Sequence, residues 1–238
     1  MGVSGGPSIP QSGMQLNLDA GNIKSAFHFD LGGPGNGLTW YDVSGNGRDF
    51  TWSSAPTYYS GTPKSIDSLR ASGPPSNSFG IDNSSGYTII FIAIQDAATN
   101  SAAFEFHKDG VDSGDTRGIF AHVTWGNGYI YFDQGGCCGS NERTNTTVSY
   151  YSDTDWKTFG FTSNAGNSRQ IWVNGVSVKE NTVAAKNIDL NSTAVWLGGA
   201  DGYTNWNAKM GVFIVYNREL TATEMMQIHN AHRERFGI

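Results

Sequence analysis

Two acidic stretches hold the residue types from which a hydrolytic or a metal site could be built. In Glu105-Phe-His107-Lys-Asp109 two carboxylates fall four residues apart, on one face of an extended strand. Paired carboxylates are what cleavage of a glycosidic bond requires, and a retaining pair needs its carboxyl groups about 5–5.5 Å apart. Along a strand the two Cα atoms would stand roughly 13–14 Å apart. Asp109 is a methylene shorter than Glu and precedes Gly110, so it belongs in a turn. No Glu has an acid two positions on: His107, Thr144, Thr182, Thr221, Met226 and Phe236 follow Glu105, Glu142, Glu180, Glu219, Glu224 and Glu234. A G-x-S-x-G elbow is absent too. The residues predict no catalytic centre and a protein that is not an enzyme.

Asp109, Asp112 and Asp115 recur every third residue in the Gly/Ser loop DGVDSGD. Oxygen donors in a loop are what Ca²⁺ takes, although the spacing is not that of an EF-hand. The set reads either as a calcium site or as a solvated acidic loop, and no other cofactor is expected. His229 and His232 stand three apart on a helix without a third ligand in view, which favours ordinary surface histidines over a metal. The only cysteines, Cys137 and Cys138, are adjacent. Neighbouring thiols close only a strained small ring, which would stiffen a turn; two reduced thiols in a Gly-rich turn is the equal alternative.

Sugar recognition needs exposed rings beside polar groups. Loop candidates are Trp52, Tyr58, Tyr59, Trp125, Tyr203 and Trp206, and Asp201-Gly-Tyr203-x-Asn205-Trp206 is the best cluster. Asp201, Tyr203, Asn205, Trp206 and Trp125 are therefore the candidate carbohydrate-binding residues. The competing reading of residues 201–206 is a ring closing the edge of the fold. Trp40, Trp156, Trp172 and Trp196 lie in strand patterns and read as core.

The elements that must position these residues are strands. From Trp156 to Val178 the sequence alternates with a two-residue period, turns at residues 164–167, alternates again, and turns at Asn174-Gly175. Further strands are expected at Met14–Ala20, Phe50–Trp52, Ile66–Leu69, Tyr87–Ile94, Ala103–Lys108, Gly118–Trp125, Tyr129–Asp133, Thr146–Tyr151, Ala194–Leu197 and Gly211–Tyr216. A Pro/Ser/Gly-rich connector fills 53–77. One helix is expected, at about 221–236, with a capping box of Thr221 and Glu224 and with Gly237 at its end.

The 238 residues suffice for one large β-domain, and 31 glycines, 13 phenylalanines, 10 tyrosines and 7 tryptophans with 15% charged residues suit short strands and tight turns. The net charge of −6, without a basic run, argues against nucleic acid. No apolar run approaches a membrane span. The first residues lack the pattern of a signal peptide. The expected organisation is an extended arm over 1–13 and a single domain over 14–238. The fold class is all-β: a two-sheet antiparallel jelly-roll sandwich with one short C-terminal helix.

Several motifs resemble the concanavalin A-like lectin/glucanase superfamily, in the LamG-type form found in virion proteins of tailed bacteriophages. Near the start these are Leu18-Asp19-Ala20-Gly21-Asn22 and Thr39-Trp40-Tyr41-Asp42-x-Ser44-Gly45-Asn46-Gly47. The middle carries Arg117-Gly118, His122-x-x-Trp125, Tyr131-Phe132-Asp133-x-Gly135-Gly136-Cys137-Cys138 and Arg143. The end carries Val173-Asn174-Gly175 and Tyr216-Asn217-Arg218-x-Leu220. The likeness runs from about residue 12 to the C-terminus and departs at 53–82. It implies a non-enzymatic structural or decorating protein of a phage particle, made in the host cytoplasm, with other virion subunits and further copies of itself as partners. The alternative is a virion-borne adhesin for a host surface glycan, and a glycoside hydrolase is a distant third: the superfamily's E-x-D-x-x-E signature is missing.

Overall fold

Tyr87–Gln95 (YTIIFIAIQ) is apolar on both faces because both are covered, one by the sandwich core and the other by a helix. The computed structural model that shows this describes residues 8–30, 37–67, 70–82, 84–108, 117–164, 167–200, 203 and 205–238. In chain order the elements are β1 (Met14–Asp19), α1 (Ile23–Asp30), β2 (Thr39–Trp40), β3 (Phe50–Trp52), β4 (Tyr58–Tyr59), β5 (Ser65–Asp67), β6 (Ala71–Pro75) and β7 (Tyr87–Gln95). Then come β8 (Phe104–His107), β9 (Arg117–His122), β10 (Tyr131–Gln134), β11 (Arg143–Asn145) and β12 (Lys157–Asn164). The chain ends with β13 (Ser168–Val173), β14 (Val176–Asn181), β15 (Ala194–Leu197), β16 (Ala208–Tyr216) and α2 (Ala222–Phe236).

The strands form two antiparallel sheets. Sheet A runs β14-β13-β12-β7-β16-β5-β4, with β1 also on β16; sheet B runs β11-β10-β9-β8-β15-β6-β3-β2. Between them lies one core in which Phe91 touches Phe104, Phe159, Phe161, Trp206 and Phe213, joining both sheets through ring contacts. On the other side of sheet A, Ile90, Ile92, Val212 and Ile214 pack under Met225, Ile228 and Phe236 of α2. The expected sandwich and its terminal helix are both present. Thr221 caps α2, Glu224 returns the bond, and Gly237 closes it at φ 70°. The Asn174-Gly175 hairpin also forms, with both residues at positive φ.

Several expectations need correction. Thr146–Tyr151 is not a strand; the edge strand is Arg143–Asn145, because Thr146 turns its hydroxyl onto the Ile130 N–H and the Val148 carbonyl. The connector holds three short strands instead of one, including the proline-bearing β6, whose prolines sit at its far end. A second helix, α1, is present and kinks at Ala26. Trp52 is buried and stacks on Trp40, so it is a core ring and not a loop ring. Of the arm, residues 8–13 are described: Pro10 and Ser12 present their carbonyls to Tyr216 and Arg218, and Ser8 to Gln227 of α2. This half of the arm lies on its own chain.

Candidate functional site

Sheet A is covered by α2, whereas among the described residues no helix packs on the outward face of sheet B. Strand register decides what stands on that face. Thr51, Ser72, Trp196, Glu105, Phe120, Asp133 and Arg143 are successive cross-strand partners, so they form one row across seven strands. Beside it Tyr131 pairs with His122 and Asn145, and Arg117 pairs with His107. Inward neighbours of the same strands (Phe104, Phe106, Ile119, Ala121, Phe132) fill the core. The two-residue period thus sorts greasy from functional side chains along each strand.

Asp133 is the pivot. It is 0% exposed and takes Arg143 in a fork, Nε to Oδ1 at 2.6 Å and Nη2 to Oδ2 at 2.6 Å. Arg117 Nη1 donates to the same Oδ2 at 3.0 Å, and its Nη2 donates to the Tyr203 hydroxyl at 2.7 Å. Bidentate guanidinium–carboxylate pairs fix orientation as well as charge. Two guanidiniums thus converge on one carboxylate, with the side chains of Arg117 and Arg143 half-buried.

Rings surround these cations. Arg143 lies 4.9 Å from the Tyr131 ring centre, and Arg117 4.9 Å from Phe120 and 5.6 Å from Tyr203. His122 sits among Trp125 (4.3 Å), Phe120 (4.6 Å) and Tyr203 (4.9 Å). Burial pushes its imidazole down to about 3, with the two arginines adding to the effect, so the ring is neutral at pH 7. Its Nδ1 lies 2.8 Å from the Ser101 carbonyl, which can only accept. Nδ1 therefore carries the proton and Nε2 keeps its lone pair as an acceptor. Trp125, Tyr131 and Tyr203 are each half-buried, and Asn127 at the rim donates to the Tyr131 hydroxyl. Half-exposed rings, guanidinium donors and an imidazole acceptor are together suited to a hydroxylated ring compound with a negative group.

Arg143 also borders a polar cleft of about 530 Å³ between the edges of β11 and β14, with Cys138, Ser140, Asn145 and Asn181. Cys137 and Cys138 are joined by a disulfide, so the bonded alternative holds. Linking neighbours closes almost no loop, so little stability is expected from chain entropy. Its contact is local: Arg143 Nη2 lies 3.2 Å from Cys137 Sγ.

Of the residues expected to take sugar, Trp125 and Tyr203 come together on this face, and Asn205 is exposed nearby in sequence. Trp206 is corrected: it is 2% exposed and packs on Phe91 at 5.5 Å, because an indole at this turn fills the core between the sheets. Asp201 lies outside the described residues, as do Asp109, Asp112 and Asp115 of the calcium expectation. Among the described residues no three His, Cys, Asp or Glu side chains gather as a metal site. Trp196 is also corrected, from core to outward face, where the Arg70 guanidinium covers it. Arg117, Asp133, Arg143, Tyr131 and His122 were missed as site residues. Their signal was strand parity: counting from core-facing Phe132 places Tyr131 and Asp133 outward.

Comparison with known proteins fits this architecture. The family model Laminin_G_3, of the concanavalin A-like lectin/glucanases superfamily, matches residues 71–226. No curated protein matches the sequence. Among solved structures, the binding domain of Paraclostridial Mosquitocidal Protein 1 is similar with a TM-score of 0.68 and 16% identity, over 93% of this chain and 53% of that one. Trypanosoma rangeli sialidase gives 0.67 and 14%, over 96% and 34%. The binding domain of botulinum neurotoxin DC, in complex with rat synaptotagmin II, gives 0.64 and 13%, over 94% and 52%. The chain thus spans about half or a third of these structures, and such identities speak to fold alone.

Proposed function

Because the chain belongs to the concanavalin A-like lectin/glucanases superfamily, we propose that it is a non-catalytic recognition module whose outward face of sheet B binds an acidic oligosaccharide. One observation carries the reading: Asp133 holds Arg117 and Arg143 among Trp125, His122, Tyr131 and Tyr203, which sets two oriented guanidiniums beside half-exposed rings. Pyranose faces stack on the rings, the arginines take a carboxylate, and His122 Nε2 accepts a hydrogen bond from a hydroxyl. The absence of chemistry is supported by the state of the carboxylates. Asp133 is saturated by its arginines, and Glu105 is buried with His107 Nε2 at 3.7 Å and separated from Asp133 by Phe120.

A phage particle is where the motif resemblance would put such a module, mounted on other virion subunits and presented to a host surface polysaccharide. Recognition stands ahead of assembly in this reading, since residues 8–13 of the arm lie on their own chain. The test is binding of the intact protein, displayed multivalently, to arrays of neutral and uronate- or sialate-bearing glycans. Binding of acidic glycans is expected. Arg143→Ala and Tyr131→Ala should each weaken it at least about tenfold, the loss of one charge-assisted or stacking contact. Equal binding by both variants and the parent, or no binding to any glycan, would remove the proposal.

A further inference from the structure

A second set of polar groups lies inside the sandwich, behind the disulfide loop, and the glycan face makes no use of it. Register places Tyr87, Ser163, Arg169 and Asn181 in one row across β7, β12, β13 and β14. The core-facing neighbours two positions away are Ile89, Phe161 and Ile171, so Tyr87, Ser163 and Arg169 point inward as well. Arg169 is 0% exposed. Its Nη2 donates to the Ser140 carbonyl at 3.1 Å, while Nε and Nη1 have no partner among the described residues.

A buried guanidinium ordinarily comes with a carboxylate, since an uncompensated buried charge is among the most destabilising things a fold can hold. The two nearest acids are committed elsewhere. Asp133 is held by Arg117 and Arg143, and Glu142 by Lys186 at 2.9 Å. Tyr87 stays a neutral phenol, its pKa raised by burial, and gives its proton to Gln134 Oε1. Gln134 spends its amide on the Lys186 carbonyl. Left without a partner among the described residues are Arg169 Nε and Nη1 and the Thr144 hydroxyl on β11, with the buried Ser163 hydroxyl beside Tyr87 on the adjacent strand. Thr144 also belongs to the cleft between β11 and β14, whose lining includes Ser140 and Asn181, the residues bonded to and paired with Arg169. Thr144 is thus the member of the cluster that lines the cleft.

We propose that Arg169, with Ser163 and Thr144, forms a buried site for a halide-sized inorganic anion beneath the β11–β14 cleft. A spherical monovalent anion accepts N–H and O–H donors from several directions, supplies the missing counter-charge and requires no acceptor-matching partner. Its position ties β13 of sheet A to the loop of sheet B that carries Arg143, because Arg169 and Asn181 both donate to the Ser140 carbonyl. The site is independent of whether the outer face binds glycan.

The test compares thermal unfolding of the full chain in sodium chloride and in sodium gluconate at equal ionic strength, and locates bromide by anomalous scattering in crystals grown in sodium bromide. The expected result is a Tm that climbs with chloride by about 5 °C between the dissociation constant and a hundredfold excess. Arg169→Met should abolish the climb. A bromide peak should lie within hydrogen-bond distance of Arg169 Nε or Nη1. Equal Tm values in the two salts, a rise with inorganic phosphate but not with chloride, or water in place of bromide beside Arg169 would overturn the proposal. Should Arg169→Met fail to fold, the bromide position in the parent protein decides alone.

Discussion

His122 shows how a side chain's surroundings, not its type, set what it does. Its folded pKa is pushed down to about 3 by burial among four rings, against an unfolded value near 6.5. Below pH 6.5 the unfolded chain therefore binds a proton that the folded chain refuses. Stability is full above that pH and falls as pH drops towards 3, by about 1.4 kcal/mol per unit across the window. His229 and His232 are shifted down too, by burial first, and add to the same slope. Urea unfolding at pH 7.0 and 5.0 should find the parent losing about 2 kcal/mol more than His122→Gln. A parallel loss in both proteins would mean that the imidazole is not kept neutral. The proposed glycan contacts belong to this scale as well: Arg143 is precise in direction only because Asp133, itself unexposed, holds it by two atoms.

At the scale of elements, α2 converts β7 and β16 from half-buried strands into fully buried ones, and its first turn is the point of attachment. Thr221 Oγ1 accepts from the Glu224 N–H, Glu224 accepts from the Thr221 N–H, and Arg218 clamps the same carboxylate at 2.6 and 3.0 Å. The Arg218 guanidinium is the chief reason that the Glu224 carboxyl falls to about 2. Thr221→Ala should cost about 1 kcal/mol in denaturant midpoint with an unchanged m-value. Gly160 explains why the helix sits so close to sheet A, since a Cβ there would run into the end of Met225 and against Trp172. Side-chain pattern alone made this element legible: S/T-x-x-E, an apolar stripe and a closing Gly were all in the sequence. Of the connector only the strand around Ile66 was legible; β6 is masked by its glycine and prolines, and two-residue Tyr58–Tyr59 carries too little alternation to be seen and exists only where Ser65–Asp67 lies beside it.

The whole molecule is organised as layers: sheet B, a shared core, sheet A and α2. Phe91 is the hub of that core, with ring contacts to both sheets, and lies behind the binding face without reaching it. Phe91→Ala should destabilise by about 4 kcal/mol, while the fraction that remains folded should bind glycan as the parent does. Loss of binding in fully folded Phe91→Ala would tie the face to the core more tightly than this layering allows. The sequence by itself determined the layers. Alternation, turn residues and the capping box act between neighbours in the chain, and local patterns of that kind survive without knowledge of partners. Only the tertiary structure decided the site. Asp133, Arg117, Arg143, His122 and Tyr203 come from four separate segments, and they meet because strand register aligned them on one face of sheet B. The same physics placed Trp206 in the core and Trp196 outside it: both are aromatic residues near a strand end, and which sheet face each meets is fixed by pairing across the fold.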